Sequence, residues 1–161
     1  MSTPEKFNPN EWSALRNVPH LVVLATATAG ASGIFGTIGE MMTAGKAVFE
    51  ATTHTNELIR MVAAKDESKA AQDAIREEIK TSEPKDVPVW LRDQALARTR
   101  QAISILNFKS PEDRDPFANW LRDLAKRVAE ASKEGGFLGF GGERVSAEER
   151  AFLAELDTAL L

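Results

Sequence analysis

From Phe117 onward, apolar residues return at every third or fourth position: Phe117, Trp120, Leu121, Leu124, Val128 and Ala131. That spacing lines one side of an α-helix. It cannot line a strand, whose side chains alternate with a period of two. Nowhere in the chain do apolar and polar residues alternate long enough to suggest a strand. Gly and Pro cut the sequence into pieces of helical length. The expected fold is therefore all-α: a compact bundle of about six to eight helices, formed as a single domain over residues 1–161.

The pieces can be placed one by one. Asn8-Pro9-Asn10-Glu11 is a helix start, with Asn8 as cap, Pro9 in the first helical position and Glu11 three after the cap. Pro19 predicts a break, so a short helix over 9–16 and a second from about Pro19 to Ala29 are expected. Leu21, Val22, Val23 and Leu24 are apolar all round, which makes that second helix a buried one. GASGIFG at 30–36 reads as a loop, and Thr37-Ile38-Gly39-Glu40 as the capping box of a helix with Met41, Met42, Val48 and Phe49 inward. The β-branched cluster Thr52–Thr55 suggests a bend before the stripe Leu58, Ile59, Met61 and Val62.

Residues 66–80 read as a charged surface helix with Ala70, Ala71, Ala74, Ile75 and Ile79 inward. Asp86 caps a helix carrying Trp90, Leu91, Ala95, Ala102, Ile105 and Leu106. A turn at Ser110–Asp113 precedes a helix expected over Pro116–Ser132. After GGFLGFGG at 135–142, Ser146 and Glu149 form a capping box for a last helix with Phe152, Leu153, Leu156 and Leu160 inward.

Composition removes several classes of chemistry. The chain has no cysteine, so it holds no disulfide, thiolate metal site or cysteine nucleophile, which fits a reducing, cytoplasmic setting. A net charge of −4 with both signs interspersed offers no attraction to nucleic acid. The first residues lack a basic segment followed by an apolar run, so no secretory signal is expected. Residues 17–39 carry no charge, yet they include Pro19, His20 and four glycines. Their best apolar run, LVVLATATA, is about half of what a spanning helix needs. A buried helix followed by a loop is the expected outcome, and membrane association through residues 18–38 is the alternative.

The two glycine segments resemble each other. GIFGTIGE at 33–40 aligns without a gap on GFLGFGGE at 136–143. This pairs Gly33, Gly36, Gly39 and Glu40 with Gly136, Gly139, Gly142 and Glu143. The same register pairs Phe49 with Phe152 and Ala51 with Ala154. Two pseudo-symmetric helix–loop–helix units would explain the match; the capping boxes at Thr37 and Ser146, however, fall at different registers. Phe35, Phe137, Leu138 and Phe140 are too apolar to face water without reason, so they either plug the core or form a partner-binding patch. Neither loop matches a phosphate-binding motif, and Glu40 and Glu143 would repel an anion.

An Ala-rich helix, a Gly-containing loop, then V-S-x-x-E and an amphipathic helix resembles the TerB-like all-α domains of the tellurite-resistance group. The residues that carry the resemblance are Val128–Ala131, Val145-Ser146-Ala147-Glu148-Glu149 and Phe152-Leu153. It covers about 30 residues and implies a helical domain that binds a small ligand or metal. In that family an acidic–glycine pair before the V-S is associated with metal. Here Gly142, Glu143 and Arg144 stand in its place with the order lost, so a metal is not carried over. GGFLGFGG is also similar to loops of uncharacterised bacterial helical proteins, which implies no function.

One further metal set deserves weighing against a solvated face. Glu50, His54 and Glu57 are spaced to share one side of a helix, if a single helix runs through them. Carboxylate-bridged sites in bundles usually draw Glu-x-x-His motifs from two helices, and only one partial set exists here. Arg92, Arg98 and Arg100 read as a solvated face, and Trp12, Trp90 and Trp120 as core anchors. No nucleophile–base pair is recognisable. The expectation is a non-enzymatic interaction or scaffold module without a cofactor, meeting a protein partner or a second copy of itself. The alternative is a small-ligand or metal-binding TerB-like domain.

Overall fold

A computed structural model describes residues 4–29, 45–134 and 146–161 of the chain. Among these residues there are seven α-helical segments and no strand, as the periodicity requires. They are α1 (Pro9–Thr28), the described part of α2 (45–50), α3 (Glu57–Val62), α4 (Lys65–Ser82), α5 (Val87–Lys109), α6 (Pro111–Glu134) and α7 (Ala147–Ala159).

Caps set most of the helix starts. The Asn8 side chain accepts from the Glu11 backbone N–H while the Glu11 carboxylate accepts from the Asn8 N–H, both at 2.9 Å. Asn56 caps α3, Asp86 caps α5 and Ser146 caps α7 in the same way, each accepting from the backbone N–H three residues on. At the far end of α4, Glu83 takes a left-handed conformation with φ of 43°, which turns the chain towards α5.

Two expected boundaries differ from the observed ones. α1 runs unbroken through Pro19, where a break was expected between two helices. Val18 and Val22 on either side are fully buried. A break there would strand backbone polar groups in apolar surroundings, at a cost comparable to the proline's own penalty. α6 starts at Pro111, five residues before the expected Pro116. Pro111 suits the first turn, and the carbonyl that Pro116 leaves without a donor belongs to exposed Glu112, where water can reach it.

α1 is the axis of the bundle and packs against α4, α5, α6 and α7. Ion pairs give the directions. Lys109 at the end of α5 donates to Glu11 at the start of α1, at 2.6 Å, so these two helices run antiparallel. Lys6 reaches Ser110 and Glu112, which brings the start of α6 to the same end. Arg114 of α6 donates to the carbonyls of Leu160 and Leu161, and Arg122 to Asp157, so α7 descends along α6. α4 begins beside Trp12 and Arg16 of α1 and ends beside α5, whose Arg98 holds Glu78. α1, α4 and α6 therefore point one way, α5 and α7 the other.

The buried apolar side chains form one contiguous cluster drawn from every helix but α4's outer side, including Leu15, Leu58, Leu91, Leu106, Leu121 and Phe152. Phe117 and Trp120 meet edge to face at 5.7 Å. Phe49 departs from its expected core position: it is 63% exposed. Ala47, Val48 and Ala51 occupy the inner side of that turn, which leaves Phe49 and Glu50 facing out. Because Leu15 is completely buried at the centre of this cluster, Leu15→Ala should lower unfolding free energy by about 2–5 kcal/mol in urea denaturation.

Candidate functional site

The glycine-segment candidates lie outside the described residues: Gly33, Phe35, Gly36, Gly39, Glu40, Gly136, Phe137, Leu138, Gly139, Phe140, Gly142 and Glu143. Two pairs from the proposed repeat register are described. Phe49 is exposed while Phe152 is buried, and Ala51 is buried while Ala154 is exposed. Units related by a pseudo-twofold axis would place such pairs alike, and these are not alike.

The Glu50, His54 and Glu57 set does not share a helix face. The chain leaves α2 through a single 3-10 turn at Ala51–Thr53, His54 is extended at φ −62° and ψ 148°, and α3 starts afresh at Glu57. The threonine cluster produces the bend, as expected, and the bend separates the three side chains. Each has other work. Arg127 of α6 holds Glu50, which keeps its carboxyl below the usual range through the hydrogen bond and the guanidinium charge. His54 Nδ1 accepts from the Asn56 backbone N–H at 3.0 Å. Glu57 sits in the first turn of α3, where a carboxylate suits the exposed N–H groups. Among the described residues no cluster of three metal-ligating side chains occurs.

The arginines of α5 act as ties between helices. Arg92 grips Glu155 of α7 with two nitrogens, and Arg98 donates to Glu78 of α4 at 2.8 Å. A buried knot that the sequence offered only as a turn joins α3 to the start of α6. Ser110 Oγ donates to Asp113 at 2.6 Å, and Asn56 Nδ2 donates to the other Asp113 oxygen at 2.8 Å. S-P-E-D could have been read as a helix cap with an acidic first turn; its partner Asn56 is 57 residues away and invisible to any local pattern.

The most unusual chemistry lies between α1 and α4. Trp12, Arg16 and His20 are spaced four apart and stack along one side of α1. Glu67 of α4 accepts from Trp12 Nε1 at 3.0 Å and pairs with Arg16 at 3.5 Å. His20, one turn further, is only 6% exposed and its Nε2 has no hydrogen-bond partner. Desolvation, aided by the Arg16 charge, pushes its pKa down to about 4. The ring is therefore neutral near pH 7. Thr99 of α5 is a second buried polar group without a partner. Thr26, Thr28, Thr81 and Thr158 all donate to the carbonyl four residues back, and Thr99 does not.

No family model, curated protein or solved structure matches the chain. The likeness to TerB-like domains accordingly rests on the residues quoted for it. No helix among the described residues is long and apolar enough to cross a membrane.

Two expectations follow from this geometry. An unfolded chain binds a proton at His20 near pH 6.5, whereas the folded chain resists it until about pH 4. Stability should be full above pH 6.5 and fall as pH drops towards 4, by roughly 3 kcal/mol for this group. Urea titrations of wild type and His20→Leu should diverge across that window; parallel pH profiles would refute the assignment. Acid loss from paired carboxylates such as Glu11, held low by its bonds to Lys109 and Asn8, comes at lower pH. For the separated trio, His54→Ala should leave any effect of Zn²⁺ on Tm unchanged, because a ligand stabilises only what it binds selectively.

Proposed function

We propose that this protein is a non-catalytic helical interaction module whose docking side includes Phe49. The observation that carries the reading is the exposure of this aromatic, 63%, on the helical turn 45–50 that follows the glycine-rich segment; Phe108 near the end of α5 is also exposed, at 86%, but stands apart from both glycine-rich segments in sequence. Phe49 follows the glycine-rich segment in sequence, and the apolar residues Phe35, Phe137, Leu138 and Phe140 belong to the same proposal. An aromatic held on a helix loses less entropy on docking than one on a loop, and such residues dominate interface energies. The charged groups nearby favour the same use. Glu50 and Arg127 already neutralise each other beside Phe49, so a partner need not supply a counter-charge.

The partner is a second copy of the chain. Sedimentation equilibrium should show reversible association of wild type, and Phe49→Glu should weaken it by roughly 10–100-fold, the equivalent of losing one buried Phe. The same change should leave Tm nearly unaltered, since the side chain already faces solvent. A wild-type protein that stays monomeric up to millimolar concentration, or a Phe49→Glu variant that associates equally well, would reject the self-docking reading.

A further inference from the structure

We propose that two copies of this chain meet through α2 lying antiparallel on its counterpart, with Phe49 of each copy seated on Gly45 of the other and Lys46 of each paired with Glu50 of the other. This contact rests on the self-docking reading of Phe49 and specifies what the aromatic meets. Ala47 and Val48 are buried, whereas Gly45, Lys46, Phe49 and Glu50 are exposed. At about 3.6 residues per turn, the four exposed positions form one outward face. Gly45 and Phe49 lie along one edge of it, Lys46 and Glu50 along the other.

Each edge carries both halves of a contact. Gly45 stands one turn before Phe49, and a Cβ placed on it meets no atom within 4 Å. The space beside it is therefore open to a ring from outside. Lys46 stands one turn before Glu50 and forms no ion pair among the described residues. Arg127 holds Glu50 through Oε2, so Oε1 can accept from a second cation. A twofold axis near residue 47 sets each edge against its own counterpart with the order reversed. Phe49 then falls opposite glycine at both ends of the contact, and lysine falls opposite glutamate. A parallel pairing would set ring on ring and lysine on lysine, a like-charge arrangement that costs affinity. The bare glycine also lets the helix axes approach to about 8 Å, the close end of ordinary packing. A different protein would have to supply all four complements; a second copy has them by symmetry. The contact is small, so the association is weak and reversible.

Sedimentation equilibrium on the full chain tests the register. Gly45→Gln fills the slot with a side chain for which the single copy has room. It should weaken association by about tenfold or more, and Tm should not fall, because glutamine is the better helix former. Lys46→Glu and Glu50→Lys should each associate severalfold more weakly than wild type, since each sets like charges across the contact. An equimolar mixture of these two variants should recover most of the wild-type affinity, because opposite charges again face each other in both pairs. A mixture as weak as its components, or a Gly45→Gln variant that associates like wild type, overturns the antiparallel contact. If Phe49→Glu still weakens association in that case, the ring docks elsewhere on the second copy and the self-docking reading stands. A wild-type chain that remains monomeric removes both.

Discussion

The bundle depends on enclosing α1. A helix about 30 Å long that is buried on nearly every side has satisfied its own backbone hydrogen bonds, so it can sit in apolar surroundings without penalty from the main chain. Its side chains then decide which neighbours it takes. Leu15, Val18 and Val22 are fully buried, and four other helices close around them. The enclosure also explains why Pro19 is tolerated. Once both flanking turns are in the core, the continuous path through the proline costs less than an interrupted helix whose polar groups would face hydrocarbon.

Enclosure has a second consequence, at the polar residues α1 carries inward. Thr26 and Thr28 return their hydroxyls to their own helix, a solution open to any buried helical threonine. Trp12 and Arg16 find Glu67 on α4. His20 finds no partner for Nε2, and a neutral ring is the only form the closed bundle accepts comfortably. The same side of α1 thus carries a tie, Arg16 with Glu67, and a buried nitrogen without a partner one turn further on. α4 is charged along its outer side and turns Ala71 and Ile75 inward, with Ile79 packed against the core.

Specific direction and order come from charged pairs between helix ends, even though each contributes little to stability in water. Lys109 with Glu11, Arg98 with Glu78 and Arg92 with Glu155 are compatible with one arrangement of neighbours and incompatible with most others. The knot of Ser110, Asp113 and Asn56 is different in kind because it is buried. A buried carboxylate needs its donors, so this knot determines where α3 docks on α6.

Helical class, the caps at Asn8, Asp86 and Ser146, and the inward stripe of α6 were all legible in the sequence, because each is a relation between residues three or four apart. Local sterics and one hydrogen bond suffice to express them. The continuation of α1 through Pro19, the outward turn of Phe49 and the dispersal of Glu50, His54 and Glu57 were not legible. Each was decided by what lay on the other side of the helix: a core that enclosed Pro19, an inner face already filled by Ala47, Val48 and Ala51, and a turn of chain that ended α2 before His54. Burial of His20 belongs to the same group. Its sequence neighbours could not reveal that the folded chain would close over it, because the free energy of a proton on that ring depends on water access, a property of the assembled bundle alone.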